Sequence, residues 1–117
     1  MPDTRGNVLY VQDILDSIQN IEEYTRGYER DNFIEDRKTR DAVVRNFEII
    51  GEAANNISSE LQAACPDIPW ANIVGMRNKM IHEYSGIDLE ILWKTPQEDL
   101  PELKREMVQV TQKVMTP

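Results

Sequence analysis

The sequence predicts an all-α fold, a bundle of four to five helices in a single domain over residues 1–117. Three observations carry this expectation. Apolar residues recur at three- and four-residue spacing, no β-branched run alternates long enough to make a strand, and Ser, Thr, Asp and Pro stand where helices begin. A chain of 117 residues suits one hydrophobic core and is too short for two.

The first helix runs from Asn7 to about Tyr24, with Val8, Val11, Ile14, Leu15, Ile18 and Ile21 as its apolar stripe. A charged stretch from Tyr28 to Lys38 follows Gly27 and reads as a loop, and Asp36 or Thr39 is placed to cap the next helix. That helix carries Val43, Phe47, Ile50, Ala54 and Ile57 on one face. Ser58-Ser59-Glu60 restarts a short segment that ends near Cys65-Pro66. Pro69 opens a third main helix, Trp70 to about Tyr84, since proline lacks the N–H that a first turn leaves unpaired. Gly86 is expected to end it, and Asp88 to start the stretch Leu89–Trp93. Thr95-Pro96 reads as another restart, with Glu98 and Asp99 at the positive end of the helix. Pro101 predicts a bend or a second restart before the last stripe of Leu100, Leu103, Met107, Val110 and Val114.

Composition narrows the function. There are 21 acidic residues against 13 Lys and Arg, a formal charge of −8, which argues against nonspecific electrostatic binding of nucleic acid while leaving room for a locally basic site. One Cys (Cys65) and one His (His82) exclude a Cys/His zinc set and an intrachain disulfide, in keeping with a reducing cytoplasm. The N-terminus has no basic region followed by an apolar one, and no apolar run reaches the ~20 residues that span a bilayer, so neither export nor a membrane span is expected.

The third helix holds the informative residues. On a helical wheel Trp70, Ile73, Val74, Met80, Ile81 and Tyr84 fall within about 60° of one direction, with Arg77 among them. A guanidinium there needs either a carboxylate partner, such as Glu48 or Glu52, or a polar cavity to face. Asn78 and His82 lie about 100° and 140° from Arg77, flanked by Ala71 and Gly75, where another backbone or a substrate can approach closely. Arginine offers a planar fork of donors for phosphate, and histidine shuttles protons near neutrality. Metal-free RNA cleavage requires two proton transfers, so if the chain is a nuclease, one His per chain favours a site at a twofold dimer interface. Other constellations are weaker. Ser85, His82 and Asp88 lack a nucleophile-elbow pattern, and Gly51, Gly75 and Gly86 form no phosphate-cradling loop. Arg37, Lys38, Arg40 and Arg45 read as a solvated face, and Trp70, Trp93 and Tyr24 as core or interface aromatics.

Arg77-Asn78-Lys79-Met80-Ile81-His82-Glu83-Tyr84 resembles the R-x4-H-x-Y motif of HEPN-domain RNase toxins, and most of all the HepT branch, whose partner is a minimal nucleotidyltransferase (MNT) antitoxin. Arg45 to Ala54, Pro69-Trp70, Ile73 to Asn78 and Ile87 to Trp93 follow the order of that family, so the resemblance spans about residues 7–113. It implies a homodimeric HEPN bundle and a metal-independent endoribonuclease acting on RNA without a cofactor, as the toxin of a type VII-like toxin–antitoxin pair. Arg77, Asn78 and His82 match its catalytic positions. Tyr84 matches the tyrosine to which the antitoxin attaches AMP. The alternative is a noncatalytic HEPN module that binds nucleotide or serves as the dimeric partner of a nucleotidyltransferase.

Overall fold

The computed structural model describes residues 4–85 and 89–115; side chains at residues 4, 5, 79–85 and 115 lie outside the description. Among the described residues there are seven helices and no strand: α1 (Thr4–Thr25), α2 (Arg30–Glu35), α3 (Arg37–Asn56), α4 (Ser59–Ala64), α5 (Trp70–Ser85), α6 (Leu89–Glu98) and α7 (Leu100–Met115). The all-α expectation is met; the short segments expected after Ser58 and from Leu89 are the helices α4 and α6, and α2 is the one that was not expected.

Helix α3 is the axis of the bundle. Its stripe of Val43, Phe47, Ile50, Ala54 and Ile57 is buried, as its spacing predicts. α1 runs antiparallel to it, a register pinned at two levels. Asn7 donates to the Ser58 hydroxyl (2.9 Å) near one end, and Asn20 donates to the buried Asn46 amide oxygen (3.1 Å) near the other. α5 packs along another side of α3, and α7 lies against α1, where Lys104 pairs with Glu22 at 3.2 Å. α1 stops at Gly27, whose φ of +80° is a left-handed conformation that only glycine adopts without a Cβ penalty.

Caps agree with the sequence. The Asp36 carboxylate accepts the Thr39 N–H at 3.1 Å and so starts α3, and Ser58 accepts the Leu61 N–H at 3.2 Å to start α4. The Tyr28 hydroxyl (2.5 Å) and the Thr39 hydroxyl (2.8 Å) also donate to Asp36, and these bonds hold its carboxyl down at a pKa of about 2.

Two elements differ from expectation. The charged stretch read as a loop contains α2. Its Phe33 is fully buried against Trp93 (ring centroids 5.2 Å apart), and the Glu29 N–H is taken by the Asn32 side chain at 2.6 Å. One anchored aromatic outweighs an otherwise polar composition. Thr95-Pro96, read as a restart, lies inside α6 with both residues buried; the Thr95 carbonyl accepts the Asp99 N–H at 2.9 Å, and the break falls at Asp99. Pro101 then occupies the first turn of α7, where its missing N–H has no partner to lose. The expected stop at Gly86 and start at Asp88 lie outside the described residues. Cys65 is a free thiol, and no helix among the described residues is long and apolar enough to cross a membrane.

Candidate active site

Pro69 precedes α5 and its carbonyl accepts the Ile73 N–H at 3.1 Å, while the Trp70 indole N–H donates to the Cys65 carbonyl, also at 3.1 Å. The indole bond sets the start of the helix against the end of α4, which Cys65 caps. From there α5 runs back along α3. A close approach lies at Gly51, a buried glycine inside α3. An added Cβ there would stand 2.6 Å from Arg77 Cβ and 3.0 Å from the Val74 carbonyl oxygen, so the missing side chain is what lets the two helices touch.

That seam gives Arg77 its character. Its Cβ lies against α3, as the wheel predicts, yet the residue as a whole is exposed. The apolar stem covers the seam and the charged head reaches solvent, the usual compromise for a long cation on an apolar arc. The ion pair weighed for it with Glu48 or Glu52 does not form: Glu48 pairs with Arg45 at 3.6 Å, and Glu52 is exposed. Of the arc itself, Trp70 and Ile73 are buried and Val74 is half-buried; Met80, Ile81 and Tyr84 are side chains outside the description.

Asn78 is exposed beside Arg77. Ala71 is exposed, and an added Cβ on Gly75 would meet nothing within 4 Å, so this side of α5 is open space. Ala71, Gly75, Asn78 and His82 recur every three or four residues, which places their backbone positions along one strip of the helix. The backbone of His82 and Tyr84 belongs to the last turns of α5, but their side chains, like those of Ser85 and Asp88, lie outside the described residues. The structure thus sets Arg77 and Asn78 in solvent on the helix that carries His82.

The remaining groups sort as solvated or structural. Arg37, Lys38 and Arg45 are exposed, whereas Arg40 is half-buried and donates to the Ile34 carbonyl. Trp70 belongs to the core, Trp93 packs on Phe33, and Tyr24 is exposed. No three His, Cys, Asp or Glu side chains gather as a metal-ligand set among the described residues. Sequence reading weighed Gly51 only as part of a phosphate loop and missed its packing role. Its signal was a helix-interior glycine beside an apolar stripe, a position where glycine costs helix stability and therefore calls for a packing reason.

The family model described as "Ribonuclease HepT-like" matches residues 14–110. A Thermococcus cleftensis protein named "Probable ribonuclease HepT" is 47% identical over 100 residues, which cover 86% of this chain and 91% of that protein. Proteins carrying the name "Putative RNase" are 41% identical over 98 residues in Methanocaldococcus jannaschii (84% of this chain, 90% of the relative) and 36% identical over 104 residues in Caldanaerobacter subterraneus (89% and 93%). No solved structure matches this chain.

Proposed function

This chain belongs to the HepT-like ribonuclease family, and from that premise we propose that it is a metal-independent endoribonuclease whose active site is Arg77, Asn78 and His82 of two protomers facing one cleft. The observation that supports this most is Arg77. Its stem is anchored at the Gly51 seam, while its residue stays exposed and makes no ion pair with any described residue. A structural arginine would have spent its charge on Glu48.

The chemistry follows from the side chains. One His82 imidazole takes the proton from a ribose 2′-hydroxyl, and the 2′-oxygen attacks the adjacent phosphorus. The bond from phosphorus to the 5′-oxygen breaks, and the partner's His82, as imidazolium, protonates that oxygen. The products are a 2′,3′-cyclic phosphate and a free 5′-hydroxyl. Arg77 from each protomer neutralises the charge that builds on the phosphorane, and Asn78 orients a phosphate oxygen with a neutral donor. The open space at Gly75 and exposed Ala71 admit the partner helix or the RNA backbone.

In this reading the protein is the toxin of a pair, and a nucleotidyltransferase partner silences it by attaching AMP to Tyr84. An AMP phosphate in that turn of α5 would bring negative charge where the RNA phosphate has to sit. Cleavage of a fluorogenic RNA in the presence of EDTA, by wild type, His82→Ala and Arg77→Ala, is the test. Each substitution should cost ~10²–10⁴-fold in rate. Both proteins should keep their helical spectrum, because the charged head of Arg77 carries no described ion pair whose loss would strain the core. His82→Ala cleaving at the wild-type rate refutes the assignment. A wild-type dimer that cleaves nothing would point to the noncatalytic partner role.

A further inference from the structure

At the end of the bundle where α1 stops, a cavity of about 590 Å³ opens between α1, α6 and α7. Its position relative to α5 follows from the helix registers. Arg77 lies level with Gly51 on α3, and α5 runs from there toward the α3 N-terminus; Asn46 on α3 is level with Asn20 on α1. The last turns of α5 are therefore level with the last turns of α1, and only residues 86–88 separate α5 from α6, which supplies the far wall.

The cavity lies where two helix breaks meet, after α1 and between α6 and α7. Pro96, inside α6, and Pro101, in the first turn of α7, both line it on either side of the break at Asp99, and neither carries an N–H. On the facing wall Gly27 turns the chain at φ +80° with no atom within 4 Å of where a Cβ would stand.

Its lining combines two held aromatic rings with two cations and one carboxylate, Glu22, which faces Lys104. The Tyr28 ring is fixed through its hydroxyl, which donates to Asp36 at 2.5 Å, and Trp93 is fixed by Phe33. Arg26 is exposed and makes no ion pair with a described residue; Lys104 is shared with Glu22 at 3.2 Å. Flat rings beside cations suit a ligand with a planar π-face and an adjoining anion, which describes a nucleotide, and 590 Å³ lies in the range of small-ligand pockets.

We propose that this cavity seats one unstacked nucleotide of the RNA substrate, its base against Trp93 and Tyr28 and the adjoining phosphate on Arg26 and Lys104, an assignment that rests on the ribonuclease reading above. It gives a chain of charge −8 a local foothold on a polyanion, and it favours single-stranded RNA, because a paired base must first be unpaired and unstacked to enter.

The test measures binding of a fluorescein-labelled, fully 2′-O-methylated single-stranded oligonucleotide by anisotropy, across a salt series, to wild type, Arg26→Ala and Trp93→Leu. Trp93→Leu should weaken binding by about five- to 150-fold, the range for losing one base–aromatic stack. Arg26→Ala, at an exposed position, should weaken it less and lower the slope of log affinity against log salt by about 0.7, one phosphate contact of a single strand. Wild-type affinity and slope in both variants overturn the proposal. Adenosine or uridine 5′-monophosphate quenching the tryptophan fluorescence of wild type but not of Trp93→Leu, without displacement by the oligonucleotide, also overturns it, since the cavity would then serve free nucleotides. The methylated strand cannot be cleaved, so binding is read apart from turnover. A protein that cleaves RNA while both variants bind normally refutes the cavity; one that binds through these residues and never cleaves refutes the ribonuclease reading.

Discussion

Replacing Gly51 with alanine should disarm Arg77 at small cost to the fold. The new methyl carbon would stand 2.6 Å from Arg77 Cβ, 3.0 Å from the Val74 carbonyl oxygen and 3.1 Å from the Arg77 amide nitrogen. None of these atoms can swing away, because each belongs to the α5 backbone or is bonded directly to it. The helices must instead separate until the closest gap reaches at least the 3.4 Å of ordinary contact. Overpacking of this kind costs ~1–3 kcal/mol. Exchanging glycine for alanine inside a helix returns about 1 kcal/mol. The net loss is then about 0–2 kcal/mol, or a fall of several degrees at about 4 °C per kcal/mol for a domain of this size. Catalysis is far less tolerant, since moving a positioned group by about an ångström can cost ~10²-fold. The assay is kcat/KM on a fluorogenic RNA beside thermal melting followed by circular dichroism. Gly75→Ala separates the two effects in melting: its Cβ meets nothing within 4 Å of its own chain, so it gains helix propensity without a contact at the α3 seam. Gly51→Ala that cleaves and melts like wild type refutes the idea that this seam positions Arg77.

Other outcomes can be checked directly. Tyr84→Phe should keep most of the RNase activity and gain no AMP mass on incubation with the nucleotidyltransferase and ATP; adenylylation to the wild-type extent would place the modification elsewhere. Light scattering at micromolar concentration should give a dimer, and a monomer with full activity would refute a cleft shared by two His82 side chains. The hydrogen bonds from Tyr28 and Thr39 hold Asp36 at a pKa of about 2, below its ordinary value of 3.8. The unfolded chain therefore takes up this proton before the folded one does, and the stabilisation, complete above pH ~4, is lost as pH falls toward 2. Asp36→Asn should melt below wild type at pH 7, with the gap closing by pH 2; a gap independent of pH would show that the charge contributes nothing.

The sequence by itself determined which segments become helices, because a helix needs only local information. Val43, Phe47, Ile50, Ala54 and Ile57 recur with the helical period, and Asp36 and Ser58 cap the segments after them from within a few residues. It also brought together Arg77, Asn78, His82 and Tyr84 as a motif on one helix, which no tertiary contact is needed to see. Elements defined by a distant partner stayed hidden. The helix Arg30–Glu35 is too short for a periodic stripe and rests on Phe33 meeting Trp93, sixty residues along the chain. Pro96 continues a helix where local rules predict a start, because its surroundings bury it. The environment of Arg77 was decided only in three dimensions. A wheel gives the direction in which a Cβ leaves its helix, but whether the charge beyond it is buried depends on how close the neighbouring helix comes and where its edge lies. Here Gly51 brings α3 within touching distance of the Arg77 stem, while the guanidinium extends past the seam into water. Interhelical distance is a property of two surfaces packed together, and neither surface carries it alone.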